Sequence, residues 1–166
     1  MSSALVVGSL IGPLRLESAD GVSLSAIRFD GRAAPGDPAP ERAAPVLVES
    51  ARQLAAYFAG TLRTFDLPLA PRGTDFQRGV WRQLAVIPYG TTVTYGEVAV
   101  RLGLPVSASR AVGSANGANP IPVILPCHRV IGADGTLTGY AGGLARKQLL
   151  LHLEGVATER DQLELF

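Results

Sequence analysis

The sequence of 166 residues predicts an α+β protein with two small domains, at residues 1–70 and 71–166. Three observations predict it. Short alternating apolar segments come first, a helical repeat of apolar residues follows, and two helix-capping boxes open the second half. We therefore expect a small strand-plus-helix domain followed by a mainly helical domain with a helix-turn-helix and an active-site loop.

The first domain is predicted from strand and turn chemistry. Residues 4–7, 14–17 and 22–29 have the pattern of short strands, and glycine and proline supply turns between them. Residues 31–45 contain four prolines, two glycines and five alanines, which predicts a mobile loop. A helix is expected to start at Pro45 and to stop at Gly60, followed by a short extended piece at residues 65–69.

The second domain begins with two predicted helices that share one kind of N-terminus. Thr74 with Gln77, and Thr94 with Glu97, fit the capping box, in which the side chains of the first and fourth residues cap the helix reciprocally. The first helix is expected to end near residues 87–88. The second helix is expected to end at Gly103. With the third helix that follows this turn, it matches a helix-turn-helix.

The third helix, predicted over residues 107–118 with Ser107 as its cap, is made almost entirely of small residues. Glycine costs a helix about 1 kcal/mol relative to alanine, so its two glycines need a reason. Tight packing on the core is one reason, and close approach to a grooved partner is the other. Arg110 lies near the N-terminus, where its charge opposes the helix dipole, so helix stability does not explain its position.

Composition favours a globular protein and excludes several classes. Apolar residues make up 47% and charged residues 17%, which supports a core. No apolar run reaches the roughly 20 residues of a membrane span, and the start lacks the basic region of a signal peptide, so we expect a cytoplasmic protein. Net charge is +1, but residues 71–158 carry seven arginines and one lysine against four acids. This excess favours an anionic partner, with a solvated surface as the alternative.

Cys127 is the only cysteine, which excludes an intrachain disulfide and a multi-cysteine zinc site. A lone cysteine is often a small buried hydrophobe. Here Pro126 precedes it, and His128 and Arg129 follow. Such basic neighbours can lower the pKa of a thiol and accept its proton, so the pattern indicates a nucleophile.

These features together resemble one family. The segments Pro-Cys-His-Arg-Val at 126–130, Arg-Ala-Val-Gly at 110–113 and Gly-Tyr-Ala-Gly-Gly at 139–143, with Tyr95 and Asn-Pro at 119–120, resemble O6-alkylguanine-DNA alkyltransferases (methylated-DNA–protein-cysteine methyltransferases). The resemblance is close over about residues 74–155. It implies a ribonuclease H-like first domain and a second domain for DNA binding and alkyl transfer.

The resemblance implies direct reversal of DNA damage by a suicidal enzyme. Cys127 would take the alkyl group from O6-alkylguanine once and irreversibly, with O4-alkylthymine as a second candidate substrate. His128 would act as base through a water, oriented by Glu154. Tyr95 would protonate the leaving base, and Asn119 would brace the turn beside the site.

The resemblance also implies which residues contact the substrate. Guanine would be selected by the carbonyls of Cys127 and Val130 and by the N–H of Ala141, with Tyr140 and Gly142 in the same pocket wall. Many relatives have serine at the position of Ala141; an N–H contact survives that change, and a hydroxyl contact does not.

The third helix would enter the minor groove, with Arg110 filling the stack vacated by a flipped nucleotide. Its small residues would let it fit a groove about 6 Å wide. The expected DNA contacts are Arg110, Ala111, Ser107, Ser114, Ala115 and Thr94.

No cofactor is expected. Some members of the family that the chain resembles carry a zinc site of cysteines and histidines in the N-terminal domain. Residues 1–90 contain neither residue type, so no metal is expected. The predicted partner is double-stranded DNA carrying O6-alkylguanine, bound by a monomer, with cooperative assembly on DNA left open. We expect a nucleoid-associated bacterial protein and no membrane partner. Three rival interpretations are a non-catalytic damage-binding module, a cysteine hydrolase and a helix-turn-helix regulator. The presence of Cys127 argues against the first.

Overall fold

The computed structural model describes residues 2–158, and the predicted α+β class is confirmed. The chain divides into two compact units between Arg72 and Gly73, and each is described by itself. Among residues 2–158, no helix is long and apolar enough to cross a membrane.

The first unit is built on a three-stranded antiparallel sheet. Strands β1 (Ser3–Val7), β2 (Leu14–Ser18) and β3 (Ala26–Phe29) pair in sequence order. Alternate residues of β2 point inward, and Leu14 and Leu16 are fully buried. This is the alternation of a sheet with one face on the core.

Strand β3 is shorter than predicted because residues 22–24 leave the sheet, while Ser25 N still donates to Glu17 O at 2.8 Å. Leu24 instead forms an isolated parallel bridge with Leu69, with Leu24 N donating to Pro68 O at 2.9 Å. The Asp20 carboxylate accepts hydrogen bonds from the backbone N–H groups of Val22 and Ser23 and so turns the chain aside. Within the predicted extended piece at residues 65–69, Leu69 is the residue that forms this bridge.

Helix α1 (Pro45–Phe58) lies against β1 and β2. As predicted, Pro45 is its first residue, and Gly60 ends it with φ 78°. Its buried stripe mixes apolar and polar side chains: Leu47, Ser50, Gln53, Leu54 and Tyr57.

The loop at residues 31–45 is anchored to the sheet by an ion pair. Both guanidinium ends of Arg15 donate to the Asp37 carboxylate. Gly31 lies so close to Arg15 that an added Cβ would come within 2.4 Å of the Arg15 backbone nitrogen. Only glycine fits this approach.

The second unit is mainly helical. Its helices are α2 (Asp75–Ala85), α3 (Tyr95–Arg101), α4 (Ser109–Gly117) and α5 (Leu144–Leu153). Both predicted capping boxes are confirmed, at Thr74 with Gln77 and at Thr94 with Glu97. Helix α2 ends at Ala85, two residues earlier than expected.

Helices α3 and α4 pack together and form the predicted helix pair. The cap at Ser107 is wrong: a 3-10 turn occupies Val106–Ala108, and α4 starts at Ser109 without a side-chain cap. The Ser109 hydroxyl donates to Val106 O within this turn. The extra turn moves the start of α4 two residues along the chain.

A two-stranded parallel ladder was not predicted. Strand β4 (Val93–Thr94) pairs with β5 (Val130–Ile131), with Val93 opposite Val130. Because β4 leads directly into α3 and β5 directly follows Cys127–Arg129, this ladder places the start of α3 beside the cysteine.

Candidate active site and DNA-binding surface

Cys127 lies at the start of a tight turn that its sequence neighbours create. Pro126 has φ −79° and ψ 67°, and Cys127 N donates to Leu125 O at 2.7 Å, the geometry of an inverse γ-turn. A 3-10 turn over Cys127–Arg129 follows. The thiol is 4% exposed, so a substrate reaches it only by entering a pocket.

The segment before the cysteine is closed by Asn119 and carries backbone strain. The Asn119 amide donates to Leu125 O at 2.7 Å and accepts from Ile121 N at 3.0 Å. Between these anchors Val123 has φ 74°, a conformation that β-branched residues avoid. The bracing position predicted for Asn119 matches this geometry, and strain of this kind is typical of functional sites.

His128 and Glu154 form a buried pair, as the resemblance implied. His128 Nε2 lies 2.7 Å from Glu154 Oε2, and both side chains are fully buried. Since an ionised carboxylate only accepts hydrogen bonds, Nε2 carries the proton and Nδ1 keeps its lone pair. Nδ1 is buried and has no hydrogen-bond partner among residues 2–158. Burial lowers the pKa of His128, which keeps the ring neutral and able to accept a proton.

Arg129 corrects one expectation. We expected it to lower the pKa of the thiol, but its side chain turns to Glu154, donating from Nε at 2.8 Å and from Nη2 at 3.0 Å. Its remaining end donates to Ile87 O at 2.7 Å. With a further hydrogen bond from Gly90 N at 3.1 Å, the Glu154 carboxylate is fixed in place by three residues on two segments of the chain.

The thiol is therefore not activated in the resting protein. Burial raises the pKa of Cys127 to about 11, and the hydrogen bond with Asn119 and the charge of Lys147 oppose this only in part. The expected thiol of lowered pKa is wrong for this state, because loss of water outweighs the nearby donors and cation. Ionisation then needs a base, and Nδ1 of His128 is the buried acceptor nearby in sequence.

Tyr95 is held at the mouth of the site by the loop after β5. Its hydroxyl donates to Thr138 O at 3.4 Å and accepts from the Thr138 hydroxyl at 3.1 Å. Its ring lies on α4, since a Cβ added to Gly113 would stand 3.6 Å from Tyr95 Cδ1. A side chain at Gly113 would therefore touch the Tyr95 ring at an ordinary contact distance, whereas Gly117 faces open space.

Lys147 is the clearest residue that sequence reasoning missed. Its ammonium group is buried and donates to Val130 O at 2.6 Å and to Thr138 O at 2.8 Å. Burial lowers the pKa of Lys147 to about 8, and the interaction with Cys127 opposes the shift. One signal was available: it is the only lysine beside 14 arginines.

Among the predicted guanine-binding residues, Val130 is hydrogen-bonded directly to this lysine. The Val130 side chain is buried, Tyr140 is partly buried, and Ala141 is exposed. Gly142 O accepts a hydrogen bond from Arg146 at 3.1 Å, and Gly143 N donates to Tyr140 O at 2.8 Å. The loop is thus a closed turn next to the cysteine segment.

Helix α4 has two distinct faces. Arg110, Ala111 and Ser114 are exposed, as is Ser107 before the helix. Ala115 is 3% exposed and lies on the core side with Val112 and Asn116, so the structure does not place it with the other predicted DNA contacts. On α3, the Thr94 hydroxyl is engaged as the N-cap and accepts from Glu97 N.

Asn116 ties α4 to the cysteine segment, a link that the sequence did not reveal. Its side-chain amide donates to Cys127 O at 3.4 Å, and Trp81 Nε1 donates to the neighbouring Ala115 O at 2.9 Å.

Within residues 2–158 no group of three or more His, Cys, Asp or Glu side chains could hold a metal.

Comparison with known proteins identifies this arrangement. The model of the 6-O-methylguanine DNA methyltransferase DNA-binding domain matches residues 75–156, and that of its ribonuclease-like domain matches residues 6–71. A methylated-DNA–protein-cysteine methyltransferase from Methanosarcina acetivorans is 64% identical over 107 residues, covering 64% of this chain and 68% of that protein. The chain belongs to the methylated-DNA–protein-cysteine methyltransferase family.

Other methyltransferases agree with this assignment. A relative from Mycolicibacterium paratuberculosis is 64% identical over 102 residues, which span 61% of both chains, less than two thirds of that methyltransferase. The crystal structure of Mycobacterium tuberculosis OGT in complex with DNA has a TM-score of 0.80 at 50% identity, covering 90% of each chain. These matches confirm the family and the enzyme class, a DNA-repair methyltransferase, that were predicted from the residues around Cys127.

Proposed function

We propose that this methyltransferase removes the alkyl group of O6-alkylguanine in DNA by transferring it to Cys127 Sγ, once per molecule. The observation that carries the proposal is the buried pair of His128 and Glu154 directly after the only cysteine. A neutral histidine with a free lone pair and an oriented second nitrogen is the form that a general base requires.

The reaction is a displacement at the alkyl carbon. The bond from sulfur to carbon forms as the bond from carbon to guanine O6 breaks, and the electron pair passes to the guanine ring. The thiol proton moves through a water to His128 Nδ1, and Glu154 stabilises the imidazolium. Tyr95 donates its hydroxyl proton to a ring nitrogen of the leaving guanine and regains one from solvent. The product is a thioether, which has no easy hydrolytic route, so the protein is consumed.

Guanine selection rests on main-chain groups that other side chains hold in place. The carbonyl oxygens of Cys127 and Val130 already accept from Asn116 and Lys147. Val130 N also donates to Cys127 O, so the guanine amino group would replace the long 3.4 Å contact from Asn116 at that oxygen. The N–H of Ala141 supplies a donor, and Tyr140 forms a wall of the pocket.

Nucleotide flipping follows from the burial of the sulfur. A thiol that is 4% exposed cannot reach a base inside a stacked duplex, so the nucleotide must leave the helix at a cost of a few kcal/mol. We place the exposed face of α4 in the minor groove, where its small residues permit close approach, with Arg110 in the vacated stack. The DNA substrate implies a nucleoid-associated location.

Arg110→Ala should slow repair of duplex DNA by about tenfold or more, because unstacking of a few kcal/mol is then uncompensated. Reaction with the free base O6-benzylguanine, which needs no flipping, should stay within about twofold of wild type, and both rates are measured by single-turnover kinetics. Arg52→Ala, at an exposed arginine of α1, controls for the loss of one charge. Equal losses on both substrates would remove the flipping role.

The function is tested by intact mass spectrometry after incubation with O6-benzylguanine or with a methylated duplex. We expect one benzyl or methyl adduct per protein, mapped to Cys127 by peptide sequencing. An adduct on another residue, or release of a hydrolysed product with continued turnover, would favour the hydrolase alternative.

A further inference from the structure

The loop after β5 places the hydroxyl of Thr138 against Tyr95, and no role was predicted for Thr138 from the sequence. Thr138 is the third residue before Ala141, and its side chain is exposed at the mouth of the site. Its hydroxyl donates to the Tyr95 hydroxyl at 3.1 Å, and its carbonyl accepts from the same group at 3.4 Å. Thr138 thus both donates a hydrogen bond to the phenol oxygen and accepts one from the phenol hydroxyl.

We propose that Thr138 is the positioning residue that prepares Tyr95 to protonate the leaving guanine. The inference rests on the proposed function, because it concerns the acid of that reaction. As the Tyr95 proton moves to the guanine ring, negative charge develops on the phenol oxygen. The Thr138 hydroxyl already donates to that oxygen and keeps its own proton, so it stabilises the charge without any change of bonds at Thr138.

The resting contact of the Tyr95 proton is suited to transfer. The bond to Thr138 O is long at 3.4 Å, and the same carbonyl accepts the Lys147 ammonium at 2.8 Å. A shared acceptor holds the phenol proton weakly, so a guanine nitrogen can take it with little loss. The shorter bond from the Thr138 hydroxyl stays in place and sets the direction of the phenol.

Lys147 keeps Thr138 within reach of Tyr95. Its ammonium joins Val130 O, next to the cysteine turn, to Thr138 O in the loop. Tyr95 is fixed independently, since it starts α3 directly after the β4–β5 ladder and lies on Gly113. The two partners are therefore held by separate elements. Burial raises the pKa of Tyr95, and the hydrogen bond with Thr138 opposes that rise, which is the direction this role requires.

Thr138→Val removes the hydroxyl but keeps the branched shape and the carbonyl bonded to Lys147. We expect the rate constant for transfer from O6-methylguanine in a duplex to fall about three- to tenfold, the effect of one hydrogen bond. DNA affinity should not change, and Thr138→Ser should restore the rate. Thr136→Val is the matched control, because its hydroxyl donates to Asp134 in the same loop.

Two further arms separate this role from a structural one. Alkylation of Cys127 by iodomethane, whose iodide leaving group needs no proton, should proceed equally in wild type and Thr138→Val. In a Tyr95→Phe background, Thr138→Val should have no additional effect. An equal slowing with iodomethane, or an effect that persists without the phenol, would overturn the inference. If wild type and Thr138→Val transfer the methyl group from duplex O6-methylguanine at the same rate, this inference alone fails. If wild-type Cys127 takes no alkyl group, the proposed function fails as well.

Discussion

Replacing Cys127 with serine is expected to abolish alkyl transfer while leaving DNA binding within about twofold of wild type, since phosphate contacts dominate affinity. Serine differs from cysteine by one atom, so the 4% exposed position keeps its packing. A hydroxyl is far less acidic and less nucleophilic than a thiol, and no other cysteine is present to replace it. Transfer is followed as loss of labelled methyl groups from duplex DNA, and binding by titration with the same duplex.

For the wild-type protein, the number of alkyl groups transferred per molecule is the matching measurement. With excess methylated DNA, labelling should stop at one equivalent per protein molecule, because nothing proposed here cleaves a thioether. Residual transfer by Cys127→Ser, or wild-type labelling that continues beyond one equivalent, would contradict a sacrificial Cys127. Loss of DNA binding in the variant would instead show that serine disturbs the fold.

Replacing His128 with phenylalanine is expected to slow transfer by about 10²- to 10⁴-fold at neutral pH, the range for loss of a general base. With a pKa of about 11, roughly one thiol in 10⁴ is ionised at pH 7, so unassisted reaction is slow. The variant rate should rise about tenfold per pH unit between pH 7 and 10, as the thiolate fraction rises.

The wild-type rate should change much less over this range. The neutral form of His128 is the base, and its pKa is lowered by burial, so the ring stays unprotonated from pH 7 upward. Activity is lost only as the pH falls through that lowered value. Rates are measured under single-turnover conditions across the pH series.

Controls for this variant come from the same buried cluster. Phenylalanine leaves Glu154 paired with Arg129 and Gly90, so the loss of one charge-assisted hydrogen bond should cost about 1.5–3 kcal/mol of stability. Thermal melting and DNA binding report whether the fold persists, and His128→Asn offers a smaller second replacement. His152→Gln, at an exposed histidine of α5, should keep the wild-type pH profile. A flat pH profile in His128→Phe would exclude His128 as the base.

Some elements of this protein are specified by residues close together in the chain. The capping boxes at Thr74 and Thr94 and the start of α1 at Pro45 were predictable, because each depends on hydrogen bonds or apolar spacing within a few residues. The error at β3 arose where a bridge to the distant Leu69 replaced part of the expected strand, whereas the error at Ser107 arose from a local 3-10 turn.

The proposal of Cys127 as the nucleophile and His128 as its base also came from the sequence. Cys127 and His128 are adjacent, and the segments around them are specific to one family, which the comparisons confirm. The roles of Cys127, His128, Tyr95 and Arg110 stay predictions that the experiments above test, and the bracing role of Asn119 stays a prediction.

What the tertiary structure alone decided is which buried charges and hydroxyls meet. Arg129 was predicted to act on the thiol but pairs with Glu154, 25 residues away, and Tyr95 meets Thr138 across 43 residues. Lys147 drew no prediction, although it joins two carbonyls beside the site. The physical reason is that a buried charge must find partners wherever the folded chain brings them, and sequence spacing does not record that path.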